Sequence, residues 1–461
     1  MLRDGGGSPA TGPLIRHIFK AEETLLRPST AWPLAGKSRF SLSPDSSNTL
    51  KNPPQDCSYI SAAGIVVAHN EDLLTQILLC LPPKSLIRFQ CVSRGWLSII
   101  SNPSFRRLYC CSSNTRALFL FRKKWRKNPE LNFISFSDEY VSSMETAVSR
   151  LSSNFFTDGE ITDLHSCNGL VAVVLKLRDG SREFSVYNPS TSQQRLIPQL
   201  NLLEKRHPFV ALNIAFDPLK SDHYKLVCVW WGSPAITDRF AMGIMNISYG
   251  FSIYESETGT WRDSGDIFEI DYTPLHTFFR NGVLWNGCLH WITDWKAIVC
   301  FDLDKEDINF TLPSPPASME HSGIWYFGES GGCMYFIDIN NPGEMLFDIF
   351  ELASGCSEWV LKHHLNLAPL TTLYPSMVDE EFDHSDDWRF RFCLTYFVED
   401  ENEKKARLVI SLLGKVILYD INGIVVKELA EVGPTDTDDD GRDNLYQWKD
   451  AYPVMKMLTY V

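Results

Sequence analysis

The chain has 461 residues, 43 Lys+Arg against 57 Asp+Glu, a net charge of −14, and 44% apolar and 22% charged residues. At roughly 150 residues per domain this allows two or three domains with ample core, in an ordinary globular composition. The acidic balance excludes broad affinity for nucleic acid or anionic membrane, and no apolar run approaches the ~20 residues that span a bilayer.

Residues 1–68 are rich in Gly, Pro and Ser, with Gly5-Gly6-Gly7 and Pro53-Pro54 as punctuation and no sustained apolar period. A disordered extension is expected there, with an organelle transit peptide as the alternative on composition. The pattern changes at Asn70. Leu73, Leu74, Ile77, Leu78 and Leu81 form one stripe of an amphipathic helix, with Glu71 and Asp72 in its first turn. Pro82-Pro83 stops it and opens a second helix through Leu86, Phe89 and Val92. Ser93 is the expected N-cap of a third, carrying Trp96, Leu97, Ile99 and Ile100 and ending near Asn102-Pro103. Three short helices hold more large apolar residues than so small a unit buries, so part of that face is expected to meet another surface.

Beyond residue 115 the texture is β. Short runs such as Ala117–Phe121, Gly169–Leu175, Phe184–Tyr187, Met334–Ile339 and Val416–Tyr419 are bounded by Gly, Pro, Asn and Asp. Five aromatic residues each close one run and precede a polar turn and a second run: Tyr187, Tyr254, Phe301, Phe350 and Tyr419. They stand 67, 47, 49 and 69 residues apart. A unit of about 40–50 residues with four strands is the blade period of a β-propeller, which predicts six or seven blades. Ala117–Phe121 is then the strand that closes the ring by pairing with the last blade. A pair of β-sandwiches is the competing architecture.

The segment Glu71-Asp-Leu-Leu-Thr-Gln-Ile-Leu-Leu-Cys-Leu-Pro-Pro-Lys-Ser-Leu-Ile-Arg-Phe-Gln-Cys-Val-Ser-Arg-Gly-Trp96 resembles the F-box in its plant form, and Ser101-Asn-Pro-Ser-Phe105 resembles the motif's end. The family's opening Leu-Pro is replaced by His69-Asn70. The substitution either weakens that contact or is compensated by Ile65-Val66-Val67. The β region resembles the plant F-box-associated domain, related to kelch-type propellers. It does so through Ser166-Cys-Asn-Gly-Leu170, Tyr187-Asn-Pro-Ser-Thr191, Ala215-Phe-Asp-Pro218, Tyr224-Lys-Leu-Val227, Trp261-Arg262 and Gly282-Val-Leu-Trp-Asn-Gly-Cys-Leu-His-Trp291. These resemblances imply an α+β multidomain chain. Residues 69–112 form a three-helix F-box and 115–461 an all-β propeller-like domain. They also imply docking on a Skp-family adaptor, and through it a cullin, by Leu74, Ile77, Leu78, Leu81, Pro82, Leu86, Val92 and Trp96.

The sequence shows no Gly-x-x-x-x-Gly-Lys or His-Glu-x-x-His, and no Cys-x-x-Cys among the twelve cysteines. His363-His364 on one strand would face opposite sides and so suit no shared metal. Asp436-x-Asp438-x-Asp440-Gly441 begins like a calcium loop, yet Gln447 stands where a bidentate Glu is required. Asp379-Glu-Glu381, Asp386-Asp387 and Glu399–Glu403 read as solvated loop tips. Arg122–Lys127 reads as a charged turn, and Trp285 and Trp291 as core. Of Trp230-Trp231, one ring is expected inside and one at a loop surface.

The expected function is therefore a non-catalytic substrate receptor of an SCF-type cullin-RING ubiquitin ligase, without cofactor or metal, capturing an unnamed protein. A propeller enzyme of glycosidase type, with two carboxylates converging on the channel, is one alternative. A scaffold that binds no adaptor is another. With no secretory signal and scattered cysteines, the expected compartment is the cytoplasm or nucleus.

Overall fold

The computed structural model describes residues 70–111, 115, 117–122, 129–136, 159–200, 209–232, 246–271, 278–293, 296–310, 312–316, 324–379, 390–400, 405–432, 445–455, 457–459 and 461. The calcium-like segment, the acidic residues 380–389 and residues 123–127 lie outside them.

Helices α1 (Glu71–Leu79), α2 (Pro83–Phe89), α3 (Arg94–Ser101) and α4 (Pro103–Cys111) open the described chain. Side-chain chemistry sets their ends. Asn70 Oδ1 accepts the Leu73 N–H at 3.1 Å, so the residue replacing the family's proline supplies a cap that proline has no side chain to make. Ser93 Oγ accepts the Trp96 N–H at 3.1 Å, as the spacing predicts. The fourth helix exceeds the three expected. Asn102 Oδ1 takes the Ser104 N–H at 2.8 Å, and Pro103 starts a new helix where the sequence suggested only an end. Phe105 and Tyr109 on α4 are buried, and the Tyr109 hydroxyl donates to the Leu81 carbonyl at 2.7 Å, clamping α4 over the α1–α2 turn.

The remainder is a six-bladed β-propeller, the lower of the two blade numbers expected. Blade 1 is β3 (Gly159–Cys167), β4 (Leu170–Leu177), β5 (Arg182–Asn188) and β6 (Gln193–Ile197). Blade 2 is β7 (Phe209–Ala215), β8 (Lys225–Trp231), β9 (Asn246–Glu255) and β10 (Thr260–Asp271). Blade 3 is β11 (Val283–Trp285), β12 (Cys288–Ile292), β13 (Ile298–Asp302) and β14 (Asp307–Asn309). Blade 4 is β15 (Tyr326–Ser330), β16 (Cys333–Asn341), β17 (Leu346–Leu352) and β18 (Val360–Asn366). Blade 5 is β19 (Phe392–Asp400), β20 (Lys405–Leu412), β21 (Lys415–Asp420) and β22 (Ile424–Glu431). In the sixth, β1 (Ala117–Arg122) lies between β2 (Glu130–Ser135) and β23 (Ala451–Val454), so Ala117 pairs with Val454 and the chain's two ends share one sheet. This is the closure expected of Ala117–Phe121.

The five aromatic anchors all close the third strand of a blade: Tyr187 in β5, Tyr254 in β9, Phe301 in β13, Phe350 in β17 and Tyr419 in β21. The turn chemistry after them recurs. Asn188, Asp302 and Asp420 each accept backbone N–H groups two residues on, and Gly259, Gly355 and Gly423 take the positive φ that turns the chain into the fourth strand.

Core clusters lie between neighbouring blades, and polar ties repeat at the rim. Trp261 Nε1 donates to Pro198 O at 2.7 Å, Trp285 Nε1 to Gly332 O at 2.8 Å and Trp359 Nε1 to Pro313 O at 3.0 Å, each crossing to a neighbouring blade or the segment that leaves it. Trp291 is fully buried. Trp230 is buried and Trp231 half-exposed, as the broken alternation predicts. In the Ser166–Leu170 motif, Asn168 Nδ2 donates to Phe216 O at 2.7 Å, linking blade 1 to blade 2. A Cβ on Gly169 (φ +86°) would meet the Met457 side chain at 2.9 Å, so only glycine admits the C-terminal segment. Asn188 holds that segment from the other side, donating to Thr459 O at 2.7 Å.

His165, on β3, joins three blades. Its Nδ1 accepts the Ile214 N–H at 3.1 Å, which leaves Nε2 to donate to Gly282 O at 2.8 Å. Burial holds the imidazole neutral, with its pKa lowered to about 4 from 6.5.

Two outcomes are expected. Asn188→Ala removes the acceptor for Ser190 and the donor to Thr459 O, and should cost about 2–3 kcal/mol in chemical denaturation while exposing residues 455–461 to limited proteolysis. Between pH 6.5 and 4 the folded His165 binds fewer protons than the unfolded one, so its contribution is lost as pH falls, by about 2 kcal/mol at pH 5. Asp450, buried and pushed up to about 6, acts in the opposite sense over part of that range. His165→Gln should therefore be less stable than the parent at pH 7 and show a smaller loss between pH 7 and pH 5, read from urea midpoints.

Candidate adaptor face and channel cavity

The helical unit sorts its apolar side chains into two sets. Leu74, Leu78, Leu81 and Leu86 are buried, as are Phe89, Ile100, Phe105 and Tyr109. Leu73 (46% exposed), Val92 (52%), Leu97 (45%) and Leu108 (53%) remain at the surface, with Pro82 exposed and Ile77 and Trp96 half-buried. Of the eight residues that the resemblance assigns to the adaptor contact, four thus shape the unit from inside and four present area outside. Leu73, Leu97 and Leu108 add exposed apolar surface that the assignment did not name. The periodicity held the signal for Leu73, which opens the same stripe, but an i, i+1 pair does not say which leucine turns inward. Trp96 leans edge-on against Phe89, centroids 5.1 Å apart, which fixes the turn between α2 and α3.

The helical unit rests on the propeller through α4. Cys110 Sγ lies 3.2 Å from Met457 Sδ and packs against the core between blades 1 and 2. Arg106 pairs with Asp222, in the β7–β8 connection, at 3.5 Å. The antiparallel order within each blade puts the first-to-second and third-to-fourth strand turns at one end of the ring, and β1 enters at that same end. The F-box therefore occupies the hairpin end. The fourth strands of blades 1–5 end, and the first strands of the blades that follow them begin, at the opposite end.

A cavity of about 110 Å³ occupies the central channel between these ends. Tyr326, Tyr396, Trp448, Ser166, Thr115 and Glu329 contribute to its wall. Glu329 sits at the end of β15, surrounded by protein yet partly reachable through the cavity, and its Oε1 accepts the Gly332 N–H at 2.7 Å. Burial raises its pKa, partly offset by that bond. It is the one carboxylate in the wall, so the convergent acid pair that a glycosidase needs is absent among the described residues of the channel. The nearby Cys167 thiol is pushed up to about 12 by burial, which makes it a packing group rather than a nucleophile.

Other titratable groups of the propeller are engaged in holding it together. Lys296 Nζ lies 2.9 Å from Asp338 Oδ2, both buried, joining blades 3 and 4. Glu399, expected at a solvated tip, lies within β19 and meets the Tyr335 hydroxyl, with Lys362 at 3.8 Å and His363 at 3.9 Å. A register shift between Leu394 and Tyr396 re-aims this part of the strand, which acidic spacing alone does not reveal. His364 faces Asp348 instead, at 2.7 Å, so the two adjacent histidines part as strand geometry requires. Arg122 ends β1 rather than standing in a turn. It is buried, pairs with Glu130 at 2.8 Å and lies 4.6 Å from the Tyr446 ring centroid. Gln447 caps a 3₁₀ turn, its N–H donating to Asp450 Oδ2 at 2.9 Å. No metal-ligating cluster of three or more residues occurs among the described residues, and no described helix is long and apolar enough to cross a membrane.

Comparison with known proteins agrees with this division. The F-box domain model matches residues 70–108, and the F-box associated beta propeller domain model matches residues 124–326. The second match ends at the first strand of blade 4, whereas the ring continues to Val454. F-box protein At5g07610 of Arabidopsis thaliana is 27% identical over 421 residues, 87% of this chain and 95% of its own length. F-box protein At2g16450 and F-box protein At2g15640 of the same plant are 26% and 24% identical, each over 52% of this chain and 58% of their own lengths. The chain belongs to the plant F-box proteins that carry a C-terminal F-box-associated β-propeller domain.

Proposed function

We propose that the chain is the substrate-recognition subunit of an SCF-type cullin-RING ubiquitin ligase, non-catalytic, acting in the cytoplasm or nucleus. The F-box would dock on a Skp-family adaptor, and the propeller would hold the protein to be modified. The observation that carries this reading is the placement of the F-box on the hairpin end of the ring. That placement leaves the other end of the ring, where each blade's last strand gives way to the next blade's first, clear of the F-box on a rigid β frame. Tethering then does the work. A protein held at a fixed distance from a charged conjugating enzyme meets it at high effective concentration, so transfer accelerates without any catalytic group on this chain. The exposed Leu73, Val92 and Leu97 support the adaptor contact, since a unit this small has no internal use for them.

Co-purification of the full chain with a Skp-family protein tests the reading. The triple variant Leu73→Asp, Val92→Asp, Leu97→Asp should weaken that association at least about tenfold while leaving the melting profile of the ring unchanged. Leu78→Asp, which places a charge at a fully buried position, should lose binding by unfolding the helical unit, seen as early proteolysis before residue 111. Undiminished capture by the triple variant would contradict the proposed face.

A further inference from the structure

We propose that the channel cavity receives one cationic side chain, a lysine ammonium or arginine guanidinium, from the captured protein. The fit of the cavity for a cation stands on its own geometry. That the cation belongs to a captured protein rests on the receptor reading above. Because Glu329 and Ser166 stand near the hairpin end, its side chain would reach them by entering the channel from the opposite end.

Glu329 is the central observation. A carboxylate withdrawn from bulk water is costly unless a cation or several donors attend it. Here one oxygen takes the Gly332 N–H, and no Lys, Arg or His pairs with Glu329 among the described residues. The turn does not need the charge. Capping the Gly332 N–H uses a single acceptor, which the amide oxygen of glutamine would provide equally well. Asp338, by contrast, has Lys296 beside it, and Glu399 has Lys362 and His363. Glu329 faces open volume instead.

The rest of the wall suits the same guest. Tyr326, Tyr396 and Trp448 bring aromatic rings to the cavity, surfaces that attract a cation and exclude an anion. Ser166 Oγ is buried without a hydrogen-bond partner, and the Thr115 and Tyr396 hydroxyls lie 3.2 Å apart, an arrangement able to accept N–H donors. About 110 Å³ is room for the end of one long side chain and excludes a folded segment. An anionic guest would meet Glu329 with no Lys or Arg in the wall, and the one imidazole there, His165, has both ring nitrogens engaged.

The test uses the full chain and three probes: N-acetyl-lysine methylamide, N-acetyl-arginine methylamide and the neutral N-acetyl-norleucine methylamide. At least one cationic probe should bind with millimolar affinity by calorimetric titration, at least about tenfold tighter than the neutral one, and should raise the melting temperature. Glu329→Gln should erase that preference while melting at or above the parent's temperature, because it removes an uncompensated charge and keeps the turn bond. Equal binding of charged and neutral probes would overturn the inference. So would absence of binding up to about 20 mM, or a loss of stability in Glu329→Gln. The Leu73/Val92/Leu97 triple variant should bind the cationic probe normally. Failure of the adaptor contact and failure of the cavity are thereby read separately.

Discussion

The pairing of Ala117–Leu120 with Ala451–Val454 is the constraint on which the rest of the molecule depends. A propeller removes sheet edges by bending a series of small sheets into a circle, and here the circle is fastened by a sheet that the first and last strands of the β region share. Here β1 is buried throughout its length, and β23 brings Tyr452 and Val454 into the core between the sixth blade and blade 1. The C-terminal segment then continues over Gly169 and into the hold of Asn188 and Ser190, adding a second lock beside the first. Channel, faces and F-box seat all follow from that closure.

Much of the architecture was readable because local chemistry repeats. An aromatic residue followed by Asn, Asp or Glu and then a tight turn is a hairpin signal at each occurrence. Five occurrences at blade spacing placed the third strands of five blades. The sixth blade carries no such anchor in the described residues, since it is assembled from distant pieces, and only the general rule of ring closure pointed to Ala117. The helix caps were equally plain. Ser93 capped α3 as expected, and the Asn70 substitution proved to be a capping residue in its own right.

The functional surfaces were less legible, for a physical reason. Periodicity identifies which residues are apolar together, but burial is decided by the element that packs on them. Helix α4, unforeseen, lies against α1 and is clamped to the Leu81 carbonyl by Tyr109, and Leu74, Leu78 and Leu81 are buried in the unit it completes. The same limit applies to acids. Glu399 looks like one more residue of an acidic loop until a strand irregularity aims it at Tyr335 and Lys362. Glu329, in Gly-Glu-Ser-Gly-Gly, looks like a turn residue until the ring folds that turn onto a channel.

A circle locked by its two ends has a timing of its own during synthesis. The helical unit and the apolar strand Ala117–Phe121 leave the ribosome long before Ala451–Val454, the strand that must cover one of its edges. Until residues 451–454 emerge, a five-residue apolar edge waits open to any other extended chain. A product cut short before residue 451 would keep its helices and leave that edge permanently bare, a species suited to aggregation rather than recognition.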